Sequence, residues 1–196
     1  MSDWKSLLHQ DQTDWLLKSD NPSIRYFTRR ELLGMDEYSP ELLQLRDDIP
    51  ESPTVQMLFG GQQEGGYWFH PDKYRSEVKF YGTAWRFMLL AEFGVGGTEP
   101  RVRRTAEYLL WRAQDQLSGG FKSHVLQLGD NTNLPLNPCF NGMLLWSFIR
   151  FGYLADSRIR SNLDWVLEHA RFDDGEIVNP PSWMWKDGML DEDDGC

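Results

Sequence analysis

Residues 62–68 read Gln-Gln-Glu-Gly-Gly-Tyr-Trp, so that Gln62 is followed by Gly66 and then by Trp68. A short segment of helical character precedes this stretch and a long apolar segment follows it. Glycine allows positive φ where a chain leaves a helix, and a glutamine amide can bond the carbonyls that a helix end leaves open. The aromatic ring can cover the end of a neighbouring helix. We therefore interpret the stretch as a structural corner between helices.

The corner pattern returns twice further along the chain. The first return follows another helix and keeps the glutamine, the glycines and an aromatic residue: Gln116, Gly119, Gly120 and Phe121. Aligned in this way, Phe121 falls at the place of Tyr67 and Lys122 at the place of Trp68. A weaker version around Gly175 has no glutamine. We expect all three to serve as corners.

Between the corners, two kinds of helix alternate. Residues 77–94 and 138–153 are apolar on almost every side, which predicts buried helices, whereas residues 100–116 and 157–170 carry one apolar stripe. A shift of 57 residues superimposes the second stripe on the first: Val102, Ala106, Leu109, Leu110 and Ala113 fall on Ile159, Leu163, Val166, Leu167 and Ala170. Such a repeat predicts helical hairpins that bury their faces against one another, with the apolar helices inside and the striped helices outside.

The rest of the chain fits the same class. Residues 1–50 predict a helical lead-in, with a helix that begins at Asn21-Pro22 and stops near Gly34, and a further helix opens at Ser52-Pro53. Residues 51–196 hold the repeats, and the 196 residues suffice for one domain. The sequence thus predicts an all-α protein.

Composition narrows the range of partners. The net charge of −10 argues against binding to nucleic-acid phosphates or to an anionic membrane surface. The chain has two cysteines, no apolar run that could span a bilayer, and a beginning without the features of a signal peptide. We therefore expect a cytoplasmic protein without a disulfide framework.

The stretch from Gln62 to Trp68 resembles the QW motif of the terpenoid cyclase and protein prenyltransferase α/α-toroid superfamily. Residues 138–153, followed by 172–175, are similar to prokaryotic squalene-cyclase-like proteins. This resemblance covers about residues 50–196 and implies an incomplete α/α toroid, because the family's ring holds more hairpins than the three found here at most. Exposed inner faces would then be covered by self-association or by further helices.

The resemblance also draws attention to an acidic motif of the form D-x-D-D, formed by Asp191, Asp193 and Asp194. In squalene–hopene-type cyclases such an aspartic acid protonates an alkene, and it must be buried and neutral to do so. The other interpretation is a solvated acidic segment whose carboxylates stay ionised.

An apolar ligand face is the second implied feature. We expect Tyr81, Trp85, Cys139 and Asn141 to lie on the inner helices near the mouth of the ring, where aromatic rings stabilise carbocations. Residues at helical spacing can equally be plain core, and for Cys139 we favour a buried structural position over a reactive one. The four histidines are scattered, so the sequence predicts no metal site and identifies no cofactor.

These observations lead to two hypotheses about function. The first is a cyclase- or prenyltransferase-like protein whose inner face binds an apolar, isoprenoid-type small molecule. The second is a non-enzymatic helical-repeat module that serves as a binding surface or scaffold.

Overall fold

The computed structural model describes residues 12–71, 82–122 and 136–169. Within these ranges the chain forms helices and no strand, which confirms the all-α class. Eight α-helices occur in this part of the chain: α1 Thr13–Leu17, α2 Pro22–Phe27, α3 Pro40–Asp48, α4 Pro53–Phe59, α5 Thr83–Glu92, α6 Pro100–Arg112, α7 Pro138–Arg150 and α8 Ser157–His169. None of these helices is long and apolar enough to cross a membrane.

Five of the helices begin in the same way, with a capping side chain followed by proline in the first turn. The side-chain oxygens that accept a backbone N–H of the first turn belong to Asn21, Ser39, Ser52, Glu99 and Asn137. Such a side chain satisfies a donor that the helix itself cannot, and proline costs nothing where no partner for its N–H exists. The predicted starts at Asn21 and Ser52 are confirmed.

Three helix ends differ from the sequence prediction, and one of them is that of α7, which ends at Arg150 rather than at 153 because Gly152 adopts a φ of +86°. Helix α2 ends at Phe27, and the chain continues as a π-helical turn, Thr28–Leu32. Gly34 then adopts a φ of +64°. Helix α6 ends at Arg112 rather than at 116, because Gln114 leaves the helix to pair with Phe121. The part of the predicted helix 77–94 that precedes Gly82 lies outside the described residues.

Helices α5 and α7 pack side by side, while α6 packs on α5 and α8 packs on α7. The contact between the two central helices is aromatic: the Phe87 ring lies 4.8 Å from the Phe148 ring and 4.7 Å from the Phe151 ring. The described residues thus contain two consecutive hairpins, α5–α6 and α7–α8, whose apolar members are neighbours.

Burial follows the predicted stripe in α6 but not throughout the later helices. The stripe of α6 is fully buried, whereas among the described residues of the α8 stripe Ile159 is buried to that degree and Leu167 is exposed. The apolar composition of α7 predicted a helix buried on every side, and this prediction is wrong. Helices α5 and α8 pack on two of its sides. Its remaining side leaves Met143, Trp146 and Ile149 exposed.

Candidate functional site

The first corner, residues 62–68, binds the helix of the following hairpin. The side-chain amide of Gln62 donates to the Arg101 carbonyl at 2.9 Å and to Thr105 Oγ1 at 2.8 Å. The Thr105 hydroxyl donates in turn to the Gly66 carbonyl at 2.8 Å. Gly66 has a φ of +85°, and a β-carbon there would lie 2.4 Å from the Arg104 carbonyl oxygen, so the close approach to α6 requires glycine.

Trp68 closes the end of α4, and only 1% of its surface is exposed. Its indole N–H donates to the Gly60 carbonyl at 3.1 Å, and its backbone N–H donates to Thr83 Oγ1 at 3.0 Å. The Arg86 guanidinium lies 5.6 Å from the Trp68 ring centroid and donates to the Leu58 carbonyl at 2.5 Å. These contacts join the corner to the end of α4 and to the start of α5.

The second corner, residues 114–121, has a different register from the one predicted. Gln114, not Gln116, holds the place of Gln62: it pairs with Phe121 as Gln62 pairs with Trp68, and its amide donates to the Arg158 carbonyl at 2.7 Å. Gln116 is exposed. The second corner is one residue longer than the first, and this extra residue misaligned the two copies in sequence.

Phe121, rather than Lys122, is therefore the counterpart of Trp68. Its backbone N–H donates to Asn141 Oδ1 at 2.5 Å, and its carbonyl accepts from Asn141 Nδ2 at 3.0 Å. The Asn162 amide joins the network at 2.8 Å from Asn141 Oδ1. Gly119, with a φ of +82°, lies against the Ser161 carbonyl. Gly120 faces the Trp165 ring, and an added β-carbon would lie 3.1 Å from it.

Of the four residues predicted to line a ligand face, the structure describes Trp85, Cys139 and Asn141. Asn141 is fully buried within the second corner, so its side chain is occupied by the backbone of Phe121. Trp85 is half-buried on α5. Cys139 is exposed in the first turn of α7, which corrects the expected buried position; its neighbours Phe140 and Asn141 occupy the buried side of that turn. Tyr81 lies outside the described residues.

An apolar stripe on α7 emerges instead as the candidate ligand face. It consists of Met143, Trp146 and Ile149, whose side chains are 43%, 39% and 39% exposed. The Arg150 guanidinium lies 5.3 Å from the Trp146 ring. Thr83 and Asn141, which bond the two corners, are 58 residues apart. Trp85 and Met143 have the same separation, so Trp85 holds the position on α5 that Met143 holds on α7. In the sequence, the signal for this stripe was the spacing of three residues between Met143, Trp146 and Ile149, which places them along one side of a helix.

The acidic motif, Asp191, Asp193 and Asp194, and the third corner at Gly175 lie outside the described residues. Within the described ranges, no group of three or more His, Cys, Asp or Glu side chains is placed to hold a metal ion.

A second surface feature was not predicted. A groove of about 740 Å³ lies between the first corner and α6. Its apolar lining comes from Tyr67, Pro71, Tyr108 and Trp111, and its charged lining from Glu64, Arg103, Arg104, Glu107 and Arg112. The sequence signal was an aromatic and arginine pattern at helical spacing, from residue 104 to residue 112.

Ion pairs connect α6 to the start of α8. Both carboxylate oxygens of Glu107 accept from the Arg158 guanidinium at 2.9 Å. Arg158 also donates to Asp156, the residue before α8, and these hydrogen bonds lower the pKa of the Asp156 carboxyl below its usual value. Glu99 and Arg101 form the corresponding pair at the start of α6. Burial, followed by the nearby Glu107 charge, raises the pKa of Tyr153.

Comparison of the chain with protein-family models, with curated proteins and with solved structures finds no match.

Proposed function

We propose that this protein is a helical-hairpin protein of the α/α-toroid type that binds an apolar, isoprenoid-like ligand against α7 and the neighbouring α5. The observation that carries the proposal is the exposed stripe of Met143, Trp146 and Ile149 on a helix whose other sides are packed. A contiguous row of exposed apolar side chains on a soluble domain marks a contact with an apolar partner.

The chemistry of the stripe suits an unsaturated hydrocarbon chain. An indole ring offers a polarizable face, and methionine adapts its shape to an irregular ligand through its flexible thioether. Arg150 beside Trp146 keeps one end of the stripe polar, which would suit a ligand with a hydroxyl or diphosphate end. Cys139 and Trp85, from the predicted set, would extend the face.

Binding is the activity that these side chains support. Alkene protonation would require a neutral carboxylic acid in the apolar site. The residues proposed for that role, Asp191, Asp193 and Asp194, lie outside the described residues. A cyclase- or prenyltransferase-like reaction therefore remains an extension of the binding proposal.

Titration of the full chain with farnesol, followed by tryptophan fluorescence, tests the binding proposal. We expect saturable binding that Trp146→Ala weakens by about tenfold or more, since the variant removes the largest side chain of the stripe. Trp111→Ala is the matched control, because Trp111 is also an exposed tryptophan but belongs to α6. Binding that is absent, or equally strong in Trp146→Ala, would contradict the proposal.

Under the second hypothesis, a non-enzymatic scaffold, the same stripe on α7 binds a protein instead of a small molecule. A second copy of the chain is the simplest such partner, because the inner faces of an incomplete ring are self-complementary in composition. Sedimentation of the wild type and of Met143→Glu separates the two cases. A dimer that dissociates in the variant, together with no farnesol binding, would favour the scaffold.

A further inference from the structure

The groove between the first corner and α6 has a floor that is fixed by contacts within the protein. The rings of Tyr67 and Tyr108 lie 5.4 Å apart with planes tilted by 34°. The Tyr108 hydroxyl donates to the Pro71 carbonyl, and Gly66 ties the same loop to α6. Because these aromatic surfaces are already ordered, a ligand would not bear the entropic cost of ordering them.

One wall of the groove is a tryptophan that the fold does not cover. Trp111 is 74% exposed, on the side of α6 that faces away from its buried apolar stripe. The Arg112 guanidinium lies 5.6 Å from its ring centroid. Tryptophan, tyrosine and arginine are the residue types enriched at the centres of protein interfaces, and this groove brings all three together.

The charges around the groove are opposite to the charge of the chain as a whole. Three arginines face two glutamates in its lining, while the protein carries a net charge of −10. One of the two, Glu107, is paired with Arg158 through both of its oxygens. Arg103 and Arg104 are exposed at the edge. The groove is therefore a local positive region that favours an anionic partner.

We propose that this groove binds an acidic peptide segment of another protein, in which an aromatic or large aliphatic side chain is flanked by Asp or Glu. The apolar side chain would pack on Tyr67, Tyr108 and Trp111, and the flanking carboxylates would pair with Arg103 and Arg104. An open groove of this kind suits a chain that passes across it, since small-molecule sites enclose most of their ligand. The inference is independent of the apolar ligand proposed for α7.

Panning a random peptide library against the full chain provides the probe. We expect the enriched peptides to combine acidic residues with an aromatic or large aliphatic residue. Synthetic versions of these peptides would then be titrated calorimetrically. Trp111→Ala and the double variant R103E/R104E should each weaken binding by about tenfold or more. The thermal melt should change little, because all three side chains are exposed and Arg104 makes a long hydrogen bond of 3.4 Å to Gln62.

Arg160→Glu supplies the matched control, since Arg160 is the exposed residue of α8 that is equivalent to Arg103 at the 57-residue offset. This variant should bind the peptides as the wild type does. Three results would each overturn the proposal: no enrichment, enrichment of peptides without acidic residues, or equal binding to R103E/R104E and wild type. A free-energy loss in Arg160→Glu of half that in the double variant or more would also overturn it, because the double variant carries two charge reversals and Arg160→Glu carries one, so the effect would then follow net charge.

Discussion

Asn141 holds the backbone of Phe121 from both sides: its Oδ1 accepts the Phe121 N–H at 2.5 Å, and its Nδ2 donates to the Phe121 carbonyl at 3.0 Å. In the first corner a threonine, Thr83, performs only the first of these tasks, for Trp68. The smaller Phe121 ring lacks the indole N–H that anchors Trp68 to α4. A more extensive polar contact therefore accompanies the smaller aromatic residue.

Replacement of Asn141 by alanine should destabilise the protein by about 3 kcal/mol, because it leaves two buried backbone groups of Phe121 without partners. Urea unfolding followed by circular dichroism measures this change in the free energy of unfolding. Met143→Ala, on the exposed side of the same helix, should cost less than about 1 kcal/mol. Equal effects of the two substitutions would show that the Asn141 bonds contribute nothing to stability.

The register of the second corner can be tested with two neighbouring glutamines. Gln114→Ala should lower the free energy of unfolding by about 2 kcal/mol, since it breaks buried bonds to the Gly119 and Arg158 carbonyls. Gln116→Ala should cost less than about 1 kcal/mol, because that side chain is exposed and loses one long hydrogen bond to the Leu110 carbonyl. The reverse order of effects would restore the alignment predicted from the sequence.

Two glycine substitutions should have opposite signs. Gly142→Ala should stabilise the protein by about 0.5–1 kcal/mol, because the residue lies inside α7 and the new β-carbon would meet no atom within 4 Å beyond the adjacent residues and the backbone of its own helix. Gly66→Ala should destabilise it by about 3 kcal/mol, since it combines a positive φ with a collision against Arg104. Thermal melts of both variants check the pair, and destabilisation by Gly142→Ala would contradict the packing described for α7.

Acid should remove the stabilisation that Asp156 provides. Its pKa in the folded protein is lowered by hydrogen bonds from Arg158, so the folded state binds a proton less readily than the unfolded state. The contribution is complete above the unfolded pKa of about 3.9 and is lost as the pH falls through the folded value. The difference in unfolding free energy between wild type and Asp156→Asn should therefore be constant near neutrality and shrink below about pH 4.

Urea midpoints measured across that range for both proteins, and for Arg158→Met, check the source of the effect. Arg158→Met should lose the same acid dependence, because it removes the donors to Asp156. An unchanged dependence in that variant would mean that another group lowers the pKa of Asp156.

Local patterns were sufficient for much of the fold. The cap and proline at Asn21-Pro22 and Ser52-Pro53 mark helix starts because both effects operate within one helical turn. The 57-residue offset also relates polar residues of α6 and α8, in addition to the apolar stripe. It pairs Arg101 with Arg158 and Thr105 with Asn162, and in each corner these are the residues that the loop contacts.

Surface features depended on tertiary packing and were harder to predict. The register of the second corner could not be read from glutamine spacing, since the acceptor that identifies Gln114 is the distant Arg158 carbonyl. The exposure of Trp146 and Trp111 follows from which sides of α7 and α6 receive neighbours. Periodicity alone describes a helix's own faces, not the number of helices that will cover them.

The direction of the corner contacts has a consequence for protein synthesis. The acceptor of the Gln62 amide lies 39 residues later in the chain, and that of Gln114 lies 44 residues later. Domains acquire their structure from the N-terminus as translation proceeds, so each corner leaves the ribosome before the helix that completes it. Native structure should therefore advance about one hairpin behind the point of elongation, and a nascent chain arrested before α6 should leave Gln62 and Gly66 without their partners.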